Sequence, residues 1–233
     1  MRVALFIPCF VDQFYPQVGR ATVALLERLG VEVSYDPRQT CCGQPAFNSG
    51  YWDEARRVAE HFVSVFRSHE SIVAPSGSCV SMVRHHVARL IDDREGVCPR
   101  VYELCEFLVQ RLHVTETGAA LTGRAALHVP CHLMRELRGA EAVRTLMRGV
   151  RGLELIDLPS DEWCCGFGGT FSIKFPELSA AMGLRKLRDA AAAGVDYVIS
   201  PESSCLMQLE GLMRRAGTSA RPLHVAEVLA GVV

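Results

Sequence analysis

No stretch of this chain is apolar for long enough to cross a bilayer. The longest runs are of the size of "VALFIP" at residues 3–8, far short of the roughly 20 residues a spanning helix needs. Neither sign of charge is in surplus. Lys and Arg number 25, Asp and Glu 26, and the net charge is −1. That removes the electrostatic case for nucleic acid and for anionic lipid. There is no Walker loop and no Ser-His-Asp order, and "GFGG" at Gly166–Gly169 is not a GxGxxG following a strand, so no flavin or nicotinamide site is expected. The opening "MRVALFIPCF" holds only a strand-sized apolar run, with no small-residue cleavage site after it. The expectation is therefore a cytoplasmic chain without membrane insertion.

Cysteine, by contrast, is abundant: ten in 233 residues. Disulfide frameworks belong to small secreted domains that lack a core. This chain is 49% hydrophobic with a mean hydropathy of +0.14 and is long enough to bury one. Metal or redox chemistry is the better account of its cysteines.

The cysteines recur in register. "VALFIPCF" around Cys9 matches "ALHVPCH" around Cys131, and Cys41-Cys42-Gly43 matches Cys164-Cys165-Gly166. "IVAPSGSCVSM" with Cys79 matches "VISPESSCLMQ" with Cys205, and "VYELCEFLVQRL" matches "LHVAEVLAGVV", placing Glu106 over Glu227. All four landmarks are about 120 residues apart, a duplication with two copies and not a solenoid array. The expected units are residues 1–118 and 119–233. Each reads as alternating strand and helix. "RVALFIP", "VEVSYDP" and "SIVAP" are strands in the first, and "AALHVP", "LELIDLP" and "YVISP" in the second. Helical stretches such as "PQVGRATVALLERLG", closed by Gly30, and "VSMVRHHVARLID" stand between and after them. The fold class is thus α/β, two pseudo-two-fold-related βα repeats with mostly parallel sheets flanked by helices.

Cys9, Cys79, Cys131 and Cys205 each follow a strand, and each CCG lies in a loop after a second strand. In open α/β sheets that rim is the ligand crevice. Two sets result: Cys9, Cys41, Cys42 and Cys79, then Cys131, Cys164, Cys165 and Cys205. Four thiolates suit zinc or an iron–sulfur cluster. Zinc usually takes two short Cys-x-x-Cys knuckles, absent here, and side chains of adjacent cysteines diverge, so an iron–sulfur cluster in each set is preferred. Gly43 and Gly166 would bring backbone N–H groups against the sulfurs at φ > 0. One CC pair alone could be buried as small hydrophobes; two in register with flanking cysteines make that reading weak. Cys98 has no counterpart and Cys105 stands over Ala226, so both read as structural thiols.

Other candidates are weaker. His132 and Arg135 could tune a cluster through hydrogen bonds and charge, or simply start a helix. His128 reads as a hydrogen-bonded core histidine. His85 and His86 are neighbours that share no helix face. Met82, Met207 and Met213 read as helix core, and Lys174 as a solvated lysine.

On these residues the chain resembles the cysteine-rich CCG family, which includes the CCG-containing subunit of heterodisulfide reductase, the glycolate oxidase iron–sulfur subunit and lactate utilization protein A. "PSGSC" before Val80, "YELCEFL" at Tyr102–Leu108, "CHLMREL" at Cys131–Leu137 and "SPESSCLMQ" at Ser200–Gln208 look most like the lactate utilization branch. The resemblance covers essentially the whole chain. It implies an iron–sulfur electron-transfer subunit of L-lactate oxidation, with 4Fe–4S as the expected cluster. Its partners would be a ferredoxin-type iron–sulfur subunit and a third lactate utilization protein. The heterodisulfide reductase branch ends each motif in Cys-x-x-Cys. Here Met82 and Gln208 stand at the final positions, which weakens the thiol–disulfide reductase alternative. The other alternative is a zinc-binding scaffold.

Overall fold

The computed structural model describes residues 1–233. The apolar run at the start becomes β1 (Arg2–Leu5), flanked on both edges, with Val3, Ala4 and Leu5 buried and Arg2 exposed at its end. Its partners are β2 (Glu32–Tyr35) and β3 (Ile72–Ala74), and β4 (Val101–Glu103) extends the sheet beyond β3. The order β2-β1-β3-β4 is parallel throughout, with Val3 opposite Val33 and Ala4 opposite Ile72. The second sheet repeats this plan with β5 (Ala120–Leu127), β6 (Arg151–Ile156), β7 (Tyr197–Ser200) and β8 (Arg221–His224), in the order β6-β5-β7-β8. The α/β class and its repeated, parallel plan are as expected. No helix is long and apolar enough to cross a membrane.

Two local features differ from the sequence reading. Each sheet has a fourth strand, β4 or β8, where the sequence shows only the approach to a helix. These strands run straight into the helices Leu104–Glu106 and Val225–Ala230, so their residues read as the start of a helix. β8 also contains Pro222, tolerable because this strand lies at the sheet edge. The stretch expected as one helix over "VSMVRHHVARLID" is a short α-helix (Gly77–Ser81), then a π-helical turn (Met82–His86) and a 3₁₀ turn (Val87–Arg89). Val83, His85, His86 and Val87 are weak helix formers, and Arg84 on the widened turn pairs with buried Glu106 at 2.7 Å.

The halves share their largest core, which runs from Val18, Leu25 and Leu26 through Phe107 and Leu108 to Val143, Leu146, Val228 and Leu229. The last helix of each half seats on the other. Val225–Ala230 packs on Pro16–Arg28, and Leu104–Glu106 with the turn after it packs on Ala140–Arg148. Arg28 fastens the first seat by donating to the carbonyls of Ala230 at 2.8 Å and Leu229 at 2.6 Å, the orphan acceptors of that helix end.

Glu103 and His224 open these exchanged helices, each in a capping box closed by Glu106 or Glu227. His224 is buried, its Nδ1 accepting from the Ala226 amide at 3.1 Å. Burial pushes its pKa down to about 4. The folded pKa lies below the unfolded value of about 6.5, so the unfolded chain binds the proton more readily. The stability from a neutral His224 is full above pH 6.5 and is lost as pH falls towards 4. Asn retains a capping acceptor and does not titrate. Thermal melts of the metal-free chain should therefore fall less between pH 7 and pH 4 in His224→Asn than in the wild type. Equal slopes would sink this assignment.

Candidate metal centre

Cys9 and Cys131 are the first residues of short helices, Cys9–Phe14 and Cys131–Arg135, just beyond β1 and β5. Cys79 and Cys205 lie in the first turns of the helices that follow β3 and β7. Each CCG sits between the second strand of its half and the next helix. Its glycine has the positive φ expected: +86° at Gly43 and +89° at Gly166. That conformation turns the Gly43 amide onto Cys41 Sγ and the Gly166 amide onto Cys164 Sγ, both at 3.4 Å. Absence of a side chain matters too. A Cβ at Gly166 would stand 2.3 Å from the Ser179 carbonyl oxygen, whereas one at Gly43 would stand 3.3 Å from a Val58 methyl.

The structure gathers each set and goes further, because all eight cysteines line one cleft between the halves. In the first set Cys9 Sγ lies 3.6 Å from Cys41 Sγ and Cys42 Sγ lies 3.4 Å from Cys79 Sγ. These separations far exceed the roughly 2.05 Å of a disulfide, and all ten cysteines are free thiols. Each of the adjacent cysteines in the first set thus reaches a further sulfur of its own. In the second set the sulfurs of Cys165 and Cys205 lie within 4.8 Å of one another. Each set holds two half-buried sulfurs and two buried ones.

Shared protons polarise the sets. Hydrogen bonds from Cys42 and Cys9, with the Gly43 amide, hold Cys41 far below the usual thiol range. Cys131, Cys165 and the Gly166 amide do the same for Cys164. Their donors Cys9 and Cys131 are pushed up by those hydrogen bonds and by burial. Thiolates are the metal-binding form of cysteine.

Around the sulfurs lie residues the sequence did not single out. Glu202, 3% exposed, takes hydrogen bonds across the halves from Ser76 Oγ at 2.9 Å and the Ser78 amide at 3.0 Å. Ser76 in turn accepts from the Cys79 amide at 3.3 Å. Phe10 meets Phe167 edge-on, also across the halves, with ring centroids 5.3 Å apart. The register of the duplication could have pointed to Glu202, which stands where the first copy has Ser76.

The weaker candidates fall as follows. His132 lines the cleft with its Nδ1 3.0 Å from Glu136. Arg135 is exposed, directed to the Glu162 carbonyl at 3.4 Å. Lys174 is exposed, and Met82 and Met213 are buried. Cys98 and Cys105 are buried in two different core clusters, and neither lines the cleft. His128 is a correction. It is in the core at 2% exposure, but neither ring nitrogen has a hydrogen-bond partner. Burial, then the Lys186 charge, pushes its pKa down to about 3. Its ring lies against the second set: a nitrogen of His128 and the sulfurs of Cys165 and Cys205 all fall within 4.8 Å of one another.

Known proteins agree with this organisation. The family model for the CCG cysteine-rich domain matches twice, over residues 3–84 and 125–210. The lactate utilization protein A of Geobacillus sp. (strain WCH70) is 42% identical, over 98% of this chain and 99% of that protein. The protein of that name from Bacillus pumilus is 43% identical with the same coverage. A crystal structure of a hypothetical protein from Helicobacter pylori superposes with a TM-score of 0.62 at 11% identity. It covers 98% of this chain and 48% of that one, and shows the α/β fold alone. Two matches to one domain model and full-length relatives above 40% identity leave a single conclusion: the chain belongs to the CCG cysteine-rich domain family, in its lactate utilization protein A branch.

Proposed function

We propose that the chain is an iron–sulfur electron-transfer subunit of an L-lactate utilization system, holding a cluster in each four-cysteine set. The carrying observation is the convergence of eight free cysteines on one cleft, with adjacent cysteines of the first set turned to different sulfurs 3.6 and 3.4 Å away. Neighbours that each reach a further sulfur suit two metals of one cluster better than one tetrahedral ion. Cys9, Cys41, Cys42 and Cys79 would hold one cluster, in the unit 1–118. Cys131, Cys164, Cys165 and Cys205 would hold the other, in the unit 119–233. The lactate assignment is supported by the names of the full-length relatives.

A 4Fe–4S cluster supplies one-electron carriage when bound. The chain's own residues do the rest. The Gly43 and Gly166 amides donate to sulfurs whose charge they temper, and hydrogen bonds to sulfur raise reduction potentials. Phe10 and Phe167 cover part of the cleft with apolar surface, while Glu202 ties together the helix starts that carry Cys79 and Cys205. A cleft open on one side lets a ferredoxin-type iron–sulfur subunit approach, with a third lactate utilization protein completing the assembly in the cytoplasm. Anaerobically purified protein should be brown and carry iron with acid-labile sulfide. Stoichiometric zinc without sulfide, even after reconstitution, would replace this reading with a zinc scaffold. A deletion strain lacking other lactate dehydrogenases should fail to grow on L-lactate, and normal growth would remove the lactate assignment.

A further inference from the structure

The two copies differ beneath their cysteines. Phe6 precedes Cys9 by three residues, as His128 precedes Cys131. The helices after the CCG loops can be matched through their glycines. A Cβ at Gly43 would meet Val58 and the Ala55 carbonyl, and one at Gly166 would meet Met182 and the Ser179 carbonyl. Four residues beyond Val58 and Met182 stand Phe62 and Lys186. The first copy therefore has an aromatic pair, Phe6 on Phe62, edge-on with centroids 5.0 Å apart. The second copy has His128 and Lys186, lining one small cavity with Leu158, Leu187 and Val198.

Both polar residues are buried, at 2% and 3% exposure. Lys186 donates to the carbonyl oxygens of Ser160 and, at 3.4 Å, Asp161. The His128 ring has no partner at either nitrogen. Buried polar atoms are nearly always paired, and an exception calls for an absent partner. The sulfurs of Cys165 and Cys205 lie within 4.8 Å of a His128 nitrogen, and neutral imidazole is a common ligand for zinc and iron alike.

We propose that His128 is a nitrogen donor to the metal of the second set, so that the two sites are chemically unlike, all-thiolate in the first copy and thiolate with imidazole in the second. This rests on reading each set as a metal site. Lys186, lining the same small cavity as His128, adds a second polar group that the first copy lacks. The neutral imidazole takes a cluster position from one of the four thiolates of its set, and replacing thiolate by histidine raises a cluster's potential. The second site is thus the more readily reduced of the two, which gives the duplicated chain a direction for electrons.

The test uses the full chain, reconstituted anaerobically, reduced, and examined by pulsed EPR. Wild-type protein should show a strongly coupled nitrogen that changes its splitting when histidine is labelled with ¹⁵N. That measurement needs no variant. The coupling should persist in His132→Ala and Cys42→Ala, and vanish in His128→Phe. Redox titration of His128→Phe/Lys186→Phe, which copies the first half's pair, should move the second site towards the first. The expected shift is at least about tenfold in electron distribution, or about 59 mV for a one-electron couple. Iron and sulfide bound without any coupled nitrogen would overturn the proposal and leave the electron-transfer reading standing. If no iron–sulfur cluster forms, that reading fails, and cobalt(II) alone decides the donor. The cobalt affinity of the second site should fall at least about tenfold in folded His128→Phe, and an unchanged affinity would refute the ligand.

Discussion

Cys42→Ala is expected to lose about half of the protein's iron after anaerobic reconstitution, and Cys165→Ala the other half, because each disables one four-thiolate set. Cys105→Ala should lose none. Its side chain is fully buried among Val3, Leu104 and Phe107, outside the cleft, and its removal should cost on the order of 1 kcal/mol of stability. Iron per chain, with circular dichroism to confirm folding, measures all three. Since the eight cysteines line one cleft, there is a sharp contrary outcome. If both CCG variants stay folded yet lose all iron, the sets act as one site. If Cys105→Ala loses iron as they do, the ligand assignment is wrong.

The second large effect belongs to a glycine. Gly166→Ala places a Cβ 2.3 Å from the Ser179 carbonyl and 3.1 Å from Met182 Cβ, at φ +89°. The left-handed conformation alone costs an L-residue about 1–2 kcal/mol, and overpacking against backbone adds about 1–3 kcal/mol. Urea unfolding of the metal-free chain should show a loss of about 2–5 kcal/mol, and iron at the second set should fall with it. Gly43→Ala shares the φ penalty, but its nearest contacts are a Val58 methyl at 3.3 Å and the Ala55 carbonyl at an ordinary 3.7 Å, so its loss should be near the φ cost alone, about 1–2 kcal/mol. Equal losses for the two would show that helix approach does not distinguish the CCG loops.

Much of the site was legible because cysteine, glycine and register are local signals. The doubled Pro-Cys, CCG and Ser-Cys landmarks place four thiols per half, and the positive φ of Gly43 and Gly166 follows from residue type. Six strands were also legible, even β3 at three residues, because each stands as a separate apolar run. β4 and β8 were not, being continuous with capped helices. The π turn at Met82–His86 carries no pattern distinct from a weak helix. Convergence of the two rims on one cleft is a tertiary fact, set by helices that cross between halves, and no window of sequence contains it. His128 shows the limit most clearly. A histidine in an apolar strand reads as a satisfied core residue, and only coordinates reveal two ring nitrogens with nothing to bond.

The exchanged terminal helices carry a consequence for how such a chain can be divided. A polypeptide of one copy would have a helix without a seat and a seat without a helix. Two such molecules cure both deficits at once, but only at a concentration that sustains their pairing. Joining the copies turns that encounter into an intramolecular one, with an effective concentration set by the tether and no longer by expression level. The cleft lined by eight thiols then exists in every molecule as soon as it folds, however scarce the protein is.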